Sequence, residues 1–486
     1  MHVLSHTESV CPECLARIPA KRVQQGNDVY MHKTCAEHGD FSTILWRGNE
    51  PAFGSWVKPK TPSFPKNPFT TVQKGCPFDC GICPEHQQQS CCVLLEVTQR
   101  CDLHCPVCFA DAARQSAGID TPDMTLTEIE TWYERLLSAG GPFNIQLSGG
   151  EPCVRNDLPE IIRLGRKHGF SFFQLNTNGL RIARDPEYLE QLKEAGLSTV
   201  FLQFDGTNDE IYKKIRGRAI LDKKLAVIEH CQRLEIGVVL VPTLVPGVNT
   251  SDIGNILLLA LEHMPTVRGV HFQPISYFGR YPQAPRNEDR ITIPEVIQAA
   301  SRQTSLRILP EHFVPPGGEN ALCSFHANYV LMPDNTLKAL TRHKPPAQIS
   351  NQALSLDVLI NQLPQSNSGG CCGPAPVEKP VQAALGAARS REFVAEHWSA
   401  PSSKVDISSG PSLGEWDVFL ERKRTHTFCI SGMAFQDAWN LDLDRLRDCY
   451  IHTASPDGRL VPFCAFNLTD RQGNSIYRNK YETHPA

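Results

Sequence analysis

The sequence predicts an α/β protein: a partial (β/α)6 TIM-like barrel, with N-terminal cysteine-rich metal modules and a C-terminal α+β extension. Three observations predict it. Six apolar strand-like runs alternate with helical stretches between residues 93 and 310. Cysteines at metal-ligand spacing crowd the first hundred or so residues, and the alternation stops after about residue 310.

Residues 1–60 are loop-rich and carry Cys11, Cys14, Cys35 and His38. Cys11-x2-Cys14 followed by Cys35-x2-His38 has the spacing of a tetrahedral site for zinc or rubredoxin-type iron. So short a unit needs such a staple. Residues 61–92 are Pro-rich and then Cys-rich. They hold "KGCPFDCGICPEH", with Cys76, Cys80 and Cys83 spaced C-x3-C-x2-C, and then "SCC". Cys91 is expected to fold back as a fourth ligand, since Cys92 in an extended strand would face the other way. Four thiolates would make a closed auxiliary [4Fe-4S] centre suited to electron relay. A zinc knuckle is the alternative.

From Val93 the pattern turns regular. "CVLLEVT" reads as the first strand, and "TLTEIETWYERLLSAGG" as a helix with a capping box, Thr125 with Glu128, and a glycine stop. "FNIQLSGG", "FSFFQLNTNG", "STVFLQFDG", "VVLVPTLVPG" and "GVHFQPIS" supply the later strands, each of the continuous apolar kind found in buried parallel sheets. Cys231, inside a helical pattern, reads as a small core residue. Residues 311–486 read as an auxiliary domain, with a small-residue, Pro/Gly-rich linker around 362–410. Cys449 and Cys464 are the best ligands there for a further cluster. Cys323, Cys429 and the Cys371/Cys372 pair compete for the remaining positions.

Charged residues make up 21% of the chain and the net charge is −4, which disfavours a nucleic-acid partner. No run approaches the roughly 18 apolar residues of a membrane span, and the N-terminus lacks the features of a signal peptide. The chain is therefore expected to be cytoplasmic. Its 19 cysteines are then better explained by metal ligation than by disulfides.

A second C-x3-C-x2-C, formed by Cys101, Cys105 and Cys108 in "TQRCDLHCPVCFA", directly follows the first barrel strand. Loops at that end of a parallel strand are where barrel active sites form. Three thiolates leave one iron of a [4Fe-4S] cluster without a protein ligand, and an open metal position is what a reaction centre needs.

With "SGGEP" at the second strand, this motif resembles the radical S-adenosylmethionine (radical SAM) signature. The resemblance implies that SAM chelates the open iron. It implies reductive cleavage to a 5′-deoxyadenosyl radical, and hydrogen abstraction from unactivated carbon. It further implies SAM contacts from Ser148, Gly149, Gly150 and Glu151, the glycines admitting the SAM amino group. Ribose contacts are implied for Asn176, Thr177 and Asn178, with Gln203 and Asp205 ending the fourth strand and Arg216 pairing with the SAM carboxylate. Cys153, after "SGGEP", reads either as a functional thiol or as a packed residue.

Phrases such as "KTCAEHGDF", "LLEVTQRCDLHCPVCFA" and "LQFDGTND" resemble a subfamily that includes the archaeal tetraether lipid synthase and an archaeal pterin-precursor methylase. That likeness implies one or two auxiliary [4Fe-4S] clusters, mononuclear iron or zinc at the N-terminus, and a reduced flavodoxin- or ferredoxin-type electron donor. The leading expectation is C–C bond formation on a lipid or small-molecule substrate, peripheral to the membrane if the substrate is a lipid. Methyl transfer to a pterin or other heterocycle is the first alternative, and a non-enzymatic iron–sulfur electron-transfer protein the second. One departure stands out: Tyr450 occupies the place of a cysteine expected beside Cys449.

Overall fold

The computed structural model describes residues 1–57, 62–112, 122–281, 283–343, 379–401 and 415–478. At the N-terminus β1 (His2–Val10), β2 (Arg17–Gln25), β3 (Asp28–Cys35) and β4 (Gly39–Trp46) form an antiparallel sheet in sequential order. The turn after β1 carries Cys11 and Cys14, and the end of β3 with the turn that follows carries Cys35 and His38. Lys33 pins this sheet to the rest of the chain: its buried ammonium donates to the carbonyls of Val10 (2.8 Å) and Ala438 (2.6 Å).

The six expected barrel strands are present, parallel and in the expected order. They are β5 (Cys92–Thr98), β6 (Asn144–Gly149), β7 (Phe173–Thr177), β8 (Thr199–Gln203), β9 (Gly237–Val241) and, after the two-residue β10 (Thr243–Leu244), β11 (Val267–Pro274). The helix Leu126–Ser138 starts on the predicted Thr125–Glu128 capping box and buries Ile129, Trp132, Tyr133 and Leu136. Each strand alternates. Ile145, Leu147, Phe173, Leu175, Val200, Leu202, Val238 and Leu240 face the helices in one core. The intervening Asn144, Gln146, Gln174, Asn176, Phe201 and Gln203 face inward to a cavity.

The described part of the C-terminal extension, read from the sequence as an auxiliary domain, shares its sheet with the barrel. β12 (Ser324–Leu331), with β13 (Leu337–Ala339), and β14 (Thr427–Met433) extend the barrel sheet beyond β11, β14 in parallel and β12 antiparallel. β15 (Ile451–Ala454) joins the other edge alongside β5, and β16 (Leu460–Pro462) follows it. A six-stranded open sheet exposes two unpaired edges, and these strands cover both. The expected linker around 362–410 is likewise replaced in part by the helix Lys379–Trp398, whose Phe393 and Trp398 reach the barrel cavity. The remainder of that linker, with Cys371 and Cys372, lies outside the described residues.

Candidate active site

The barrel encloses a cavity of about 660 Å3 that runs from the loop after β5 to the helix Lys379–Trp398. At its top the loop after β5 carries Cys101, Cys105 and Cys108 beside an apolar cluster of Leu103, Tyr212 and Ile220. Burial pushes the Cys101 thiol up to about 12 and raises Cys105, which Arg216 opposes. Such thiols stay protonated until a metal displaces the proton. The loop is braced from across the cavity mouth: Cys108 and Arg280 exchange backbone hydrogen bonds of 2.9 Å each way, and Arg280 Nε donates to the Cys105 carbonyl at 2.9 Å.

"SGGEP" serves this loop first. Gly150 N–H donates to the Thr98 carbonyl and Glu151 N–H to the Arg100 carbonyl, both at 2.9 Å. A Cβ on Gly149 would lie 2.1 Å from the Thr98 oxygen, and one on Gly150 2.2 Å from the Arg100 oxygen. Gly149 also has φ +128°, which disfavours a side chain there. The glycines thus permit a close approach to the strand end and loop that carry the cysteines, while both still line the cavity.

Glu151 is buried and fully engaged, accepting from Cys153 N (3.0 Å), Thr177 Oγ1 (2.7 Å) and Asn178 N (2.6 Å). Its carboxyl is raised by burial against those three hydrogen bonds. It organises the turn after β7 at the edge of the cavity. Asn178 Nδ2 in turn reaches Asp102 Oδ1, inside the cysteine loop, at 2.7 Å. Asn176 points elsewhere: its Oδ1 accepts from Gln146 at 2.7 Å and Gln174 at 3.3 Å on the cavity wall.

Asp205 is fully buried and clamps Arg216 through two hydrogen bonds of 2.7 and 2.8 Å. Arg216 also donates to Thr243 Oγ1 (3.1 Å) and lies against the Cys105 thiol. The geometry makes Asp205 a support for Arg216, and Arg216 a neighbour of the cysteine loop. Ser148 and Gln203 line the cavity. Cys153 is fully buried with its thiol 3.4 Å from Thr177 Oγ1, and Cys231 is a core residue. Both are packing groups.

The other cysteines fall into three sets. Cys11, Cys14, Cys35 and His38 bring their ligand atoms within 4.8 Å of one another, the reach of a single ion. His38 Nδ1 lies 3.6 Å from Cys11 Sγ and 3.5 Å from Cys35 Sγ, and this hydrogen bond holds the Cys35 thiol down to about 6.

Cys76, Cys80 and Cys83 act on one another, with Arg447 beside Cys76 and Tyr477 Oη accepting from Cys80 N at 2.9 Å. The structure does not bring Cys91 to them. Its N–H donates to the Tyr450 carbonyl at 2.8 Å at the β5 edge, and its thiol lines the cavity near Arg391 and Glu319. In the third set Cys449 and Cys464 are joined by Cys323 around a small void that Arg445 and Glu319 also line. Cys429 lies apart, on the central cavity.

Residues 95–260 match the profile of the Radical SAM superfamily, and residues 3–47 that of the HMPTM N-terminal zinc ribbon domain. The 7,8-dihydro-6-hydroxymethylpterin dimethyltransferase of Methanocaldococcus jannaschii is 36% identical over 490 residues, covering 96% of this chain and 94% of that one. The chain belongs to the radical SAM superfamily. A GTP 3′,8-cyclase of Alkaliphilus oremlandii is 30% identical over 37% of this chain and 56% of its own length. The crystal structure of a methylornithine synthase overlays 45% of this chain and 64% of its own at 17% identity. Its TM-score of 0.34 is too low to carry a structural argument.

As a radical SAM enzyme, the protein is not the bare electron carrier that was one sequence alternative. The superfamily's reduced [4Fe-4S] cluster would supply one electron to the sulfonium of bound SAM, whose cleavage gives methionine and a 5′-deoxyadenosyl radical. The donor set fits that pair: three thiols on one loop in an apolar pocket, a cation beside Cys105, and the cavity directly below. Among the described residues no helix is long and apolar enough to cross a membrane.

Sequence reasoning missed Asp102, Lys224 and the inward wall of Gln146, Gln174, Phe201, His271 and Trp398. For the wall a signal existed. "NIQLS" and "FQLNT" place amides two apart in otherwise apolar parallel strands, which points polar groups into a barrel.

Proposed function

We propose that this protein is a radical SAM methyltransferase acting on a pterin or a similar planar heterocycle. The observation that carries the reading is the lower cavity. There the amides Asn144, Gln146, Gln174, Asn176 and Gln203 face the aromatic surface of Phe201 and Trp398, whose rings stack at 5.3 Å with 28° between planes. His271 stands 5.4 Å from Phe201 and is held by Ser431 (2.9 Å).

These amides satisfy one another in part, Gln146 and Gln174 both donating to Asn176, and each donor or acceptor they have left over would cost about 1–3 kcal/mol if an alkyl chain covered it. A heterocycle offers them ring nitrogens and exocyclic groups, and offers the aromatics a face to stack on. The archaeal pterin dimethyltransferase, similar along nearly its whole length, supports the same choice. The lipid-coupling expectation gives way to it, and with it goes the membrane-peripheral location.

In this reading Cys101, Cys105 and Cys108 hold the catalytic cluster. Ser148, the Gly149–Gly150 turn and the Asn178 turn form the SAM wall, with Arg216 flanking it. Zinc or iron occupies the Cys11, Cys14, Cys35 and His38 ribbon. The Cys76, Cys80, Cys83 set and the Cys323, Cys449, Cys464 set hold auxiliary clusters that pass electrons from a reduced flavodoxin- or ferredoxin-type donor.

The test is a single-turnover assay of reconstituted, reduced enzyme with SAM and 7,8-dihydro-6-hydroxymethylpterin. The expected product is heavier by one CH2 per methyl added. Formation of 5′-deoxyadenosine with an unaltered pterin would overturn the substrate assignment while leaving the radical chemistry standing.

A further inference from the structure

Lys224 lies in the helix Leu221–Arg233, behind the strand ends that carry Asn178 and Gln203, and its side chain is fully buried. A buried ammonium is costly unless acceptors surround it. Nζ donates to the Asn178 main-chain carbonyl at 2.5 Å, stands 3.4 Å from Gln203 Oε1 and lies 5.9 Å from the centre of the Tyr212 ring. Both hydrogen-bond acceptors are neutral. The carboxylates that balance it are Asp205, already clamped on Arg216, and Glu151, already engaged by three hydrogen bonds.

The residue it holds is a junction. Asn178 N–H donates to Glu151 in "SGGEP", and Asn178 Nδ2 to Asp102 in the cysteine loop. Lys224 therefore braces, from outside the cavity, the residue that joins three motifs. Two buried cations thus flank the cysteine loop: Arg216, clamped by Asp205 beside Cys105, and Lys224, seated on the Asn178 turn that holds Asp102. A cluster bound there gains a negative charge on reduction, inside a pocket of low dielectric where nearby positive charge favours the reduced form.

We infer that Lys224 is a positioning residue of the radical site: it fixes the Asn178 turn against the cysteine loop, and its charge eases reduction of the cluster. This rests on the superfamily's cofactors and on no particular substrate, so it stands or falls apart from the pterin reading.

The test compares reconstituted full-length enzyme with Lys224→Met and Lys224→Gln. The readouts are iron content, the cluster midpoint by EPR-monitored redox titration, and SAM affinity without substrate. Glutamine keeps a donor for the Asn178 carbonyl but no charge; methionine keeps neither. Both variants are expected to lower the reduction equilibrium about tenfold, about 59 mV more negative for one electron. Only methionine should also weaken SAM binding, by about tenfold. A wild-type midpoint in either folded variant overturns the electrostatic role, and wild-type SAM affinity in Lys224→Met overturns the positioning role. Should Lys224→Met fail to assemble a cluster, the midpoint of Lys224→Gln decides alone.

Discussion

Gly150→Ala probes the contact on which the site is built. Gly150 has no left-handed φ to lose, so the effect of a methyl group there is steric. The new Cβ would fall 2.2 Å from the Arg100 carbonyl oxygen, 2.7 Å from its carbon and 2.8 Å from the Gln99 oxygen. All three are backbone atoms, and relieving the overlap requires a shift of roughly 1 Å. Overpacking of this kind costs about 1–3 kcal/mol. Arg100 precedes Cys101 directly, so the shift falls on the cluster loop. A misplacement of about 1 Å can cost about 100-fold in rate.

The variant should therefore melt below wild type and bind SAM weakly. Its 5′-deoxyadenosine formation should fall by about two orders of magnitude. The assay is a thermal melt beside SAM titration and product quantification. Wild-type SAM affinity and rate in Gly150→Ala would refute the idea that this turn sets the loop.

Further outcomes follow from other parts of the molecule. Burial lowers the Lys33 ammonium from the ordinary 10.5 to about 7. Between those values the unfolded chain binds a proton that the folded chain does not. The penalty is thus full below about pH 7 and gone above about 10.5, and stability rises with pH in between, by up to about 1.4 kcal/mol per unit. Denaturant midpoints at pH 7 and 9 should show that rise, and Lys33→Met should flatten it. Gln174→Leu should raise KM for the pterin about tenfold, the loss of one buried hydrogen-bonding partner, with 5′-deoxyadenosine formation retained in steady-state assays. His38→Ala should release the N-terminal metal to a colorimetric chelator and make residues 1–46 protease-sensitive, while SAM binding persists.

Much of the barrel was legible because its strands and helices repeat at a regular period, and the Cys101 loop because its spacing is short-range. What was not legible is long-range. β14 and β15 each follow a helix, Glu415–Thr425 and Leu443–Arg447, but they pair with β11 and β5 far back in the chain, so nothing local marks where they join the sheet. Cys323 lies more than a hundred residues from Cys449, and they meet only in the fold, where the residue before β12 and the residues before β15 line one small void. Cys91 was misplaced because sequence proximity to Cys83 weighed more than the strand pairing that holds it. Asp205 and Arg216 were both read as cofactor contacts, when opposite charges on neighbouring elements satisfy one another first. Lys224 sits in "DKKLAV", where a lysine ordinarily means an exposed helix face.

The central claim is that of two identically spaced triplets, the one after β5 makes the radical. Its most direct test is 5′-deoxyadenosine formation from SAM under strong chemical reduction, in Cys105→Ala and Cys80→Ala reconstituted side by side. Dithionite bypasses any relay, so the account predicts no product from Cys105→Ala and continued product from Cys80→Ala. Product from Cys105→Ala, with none from a folded Cys80→Ala, would contradict it.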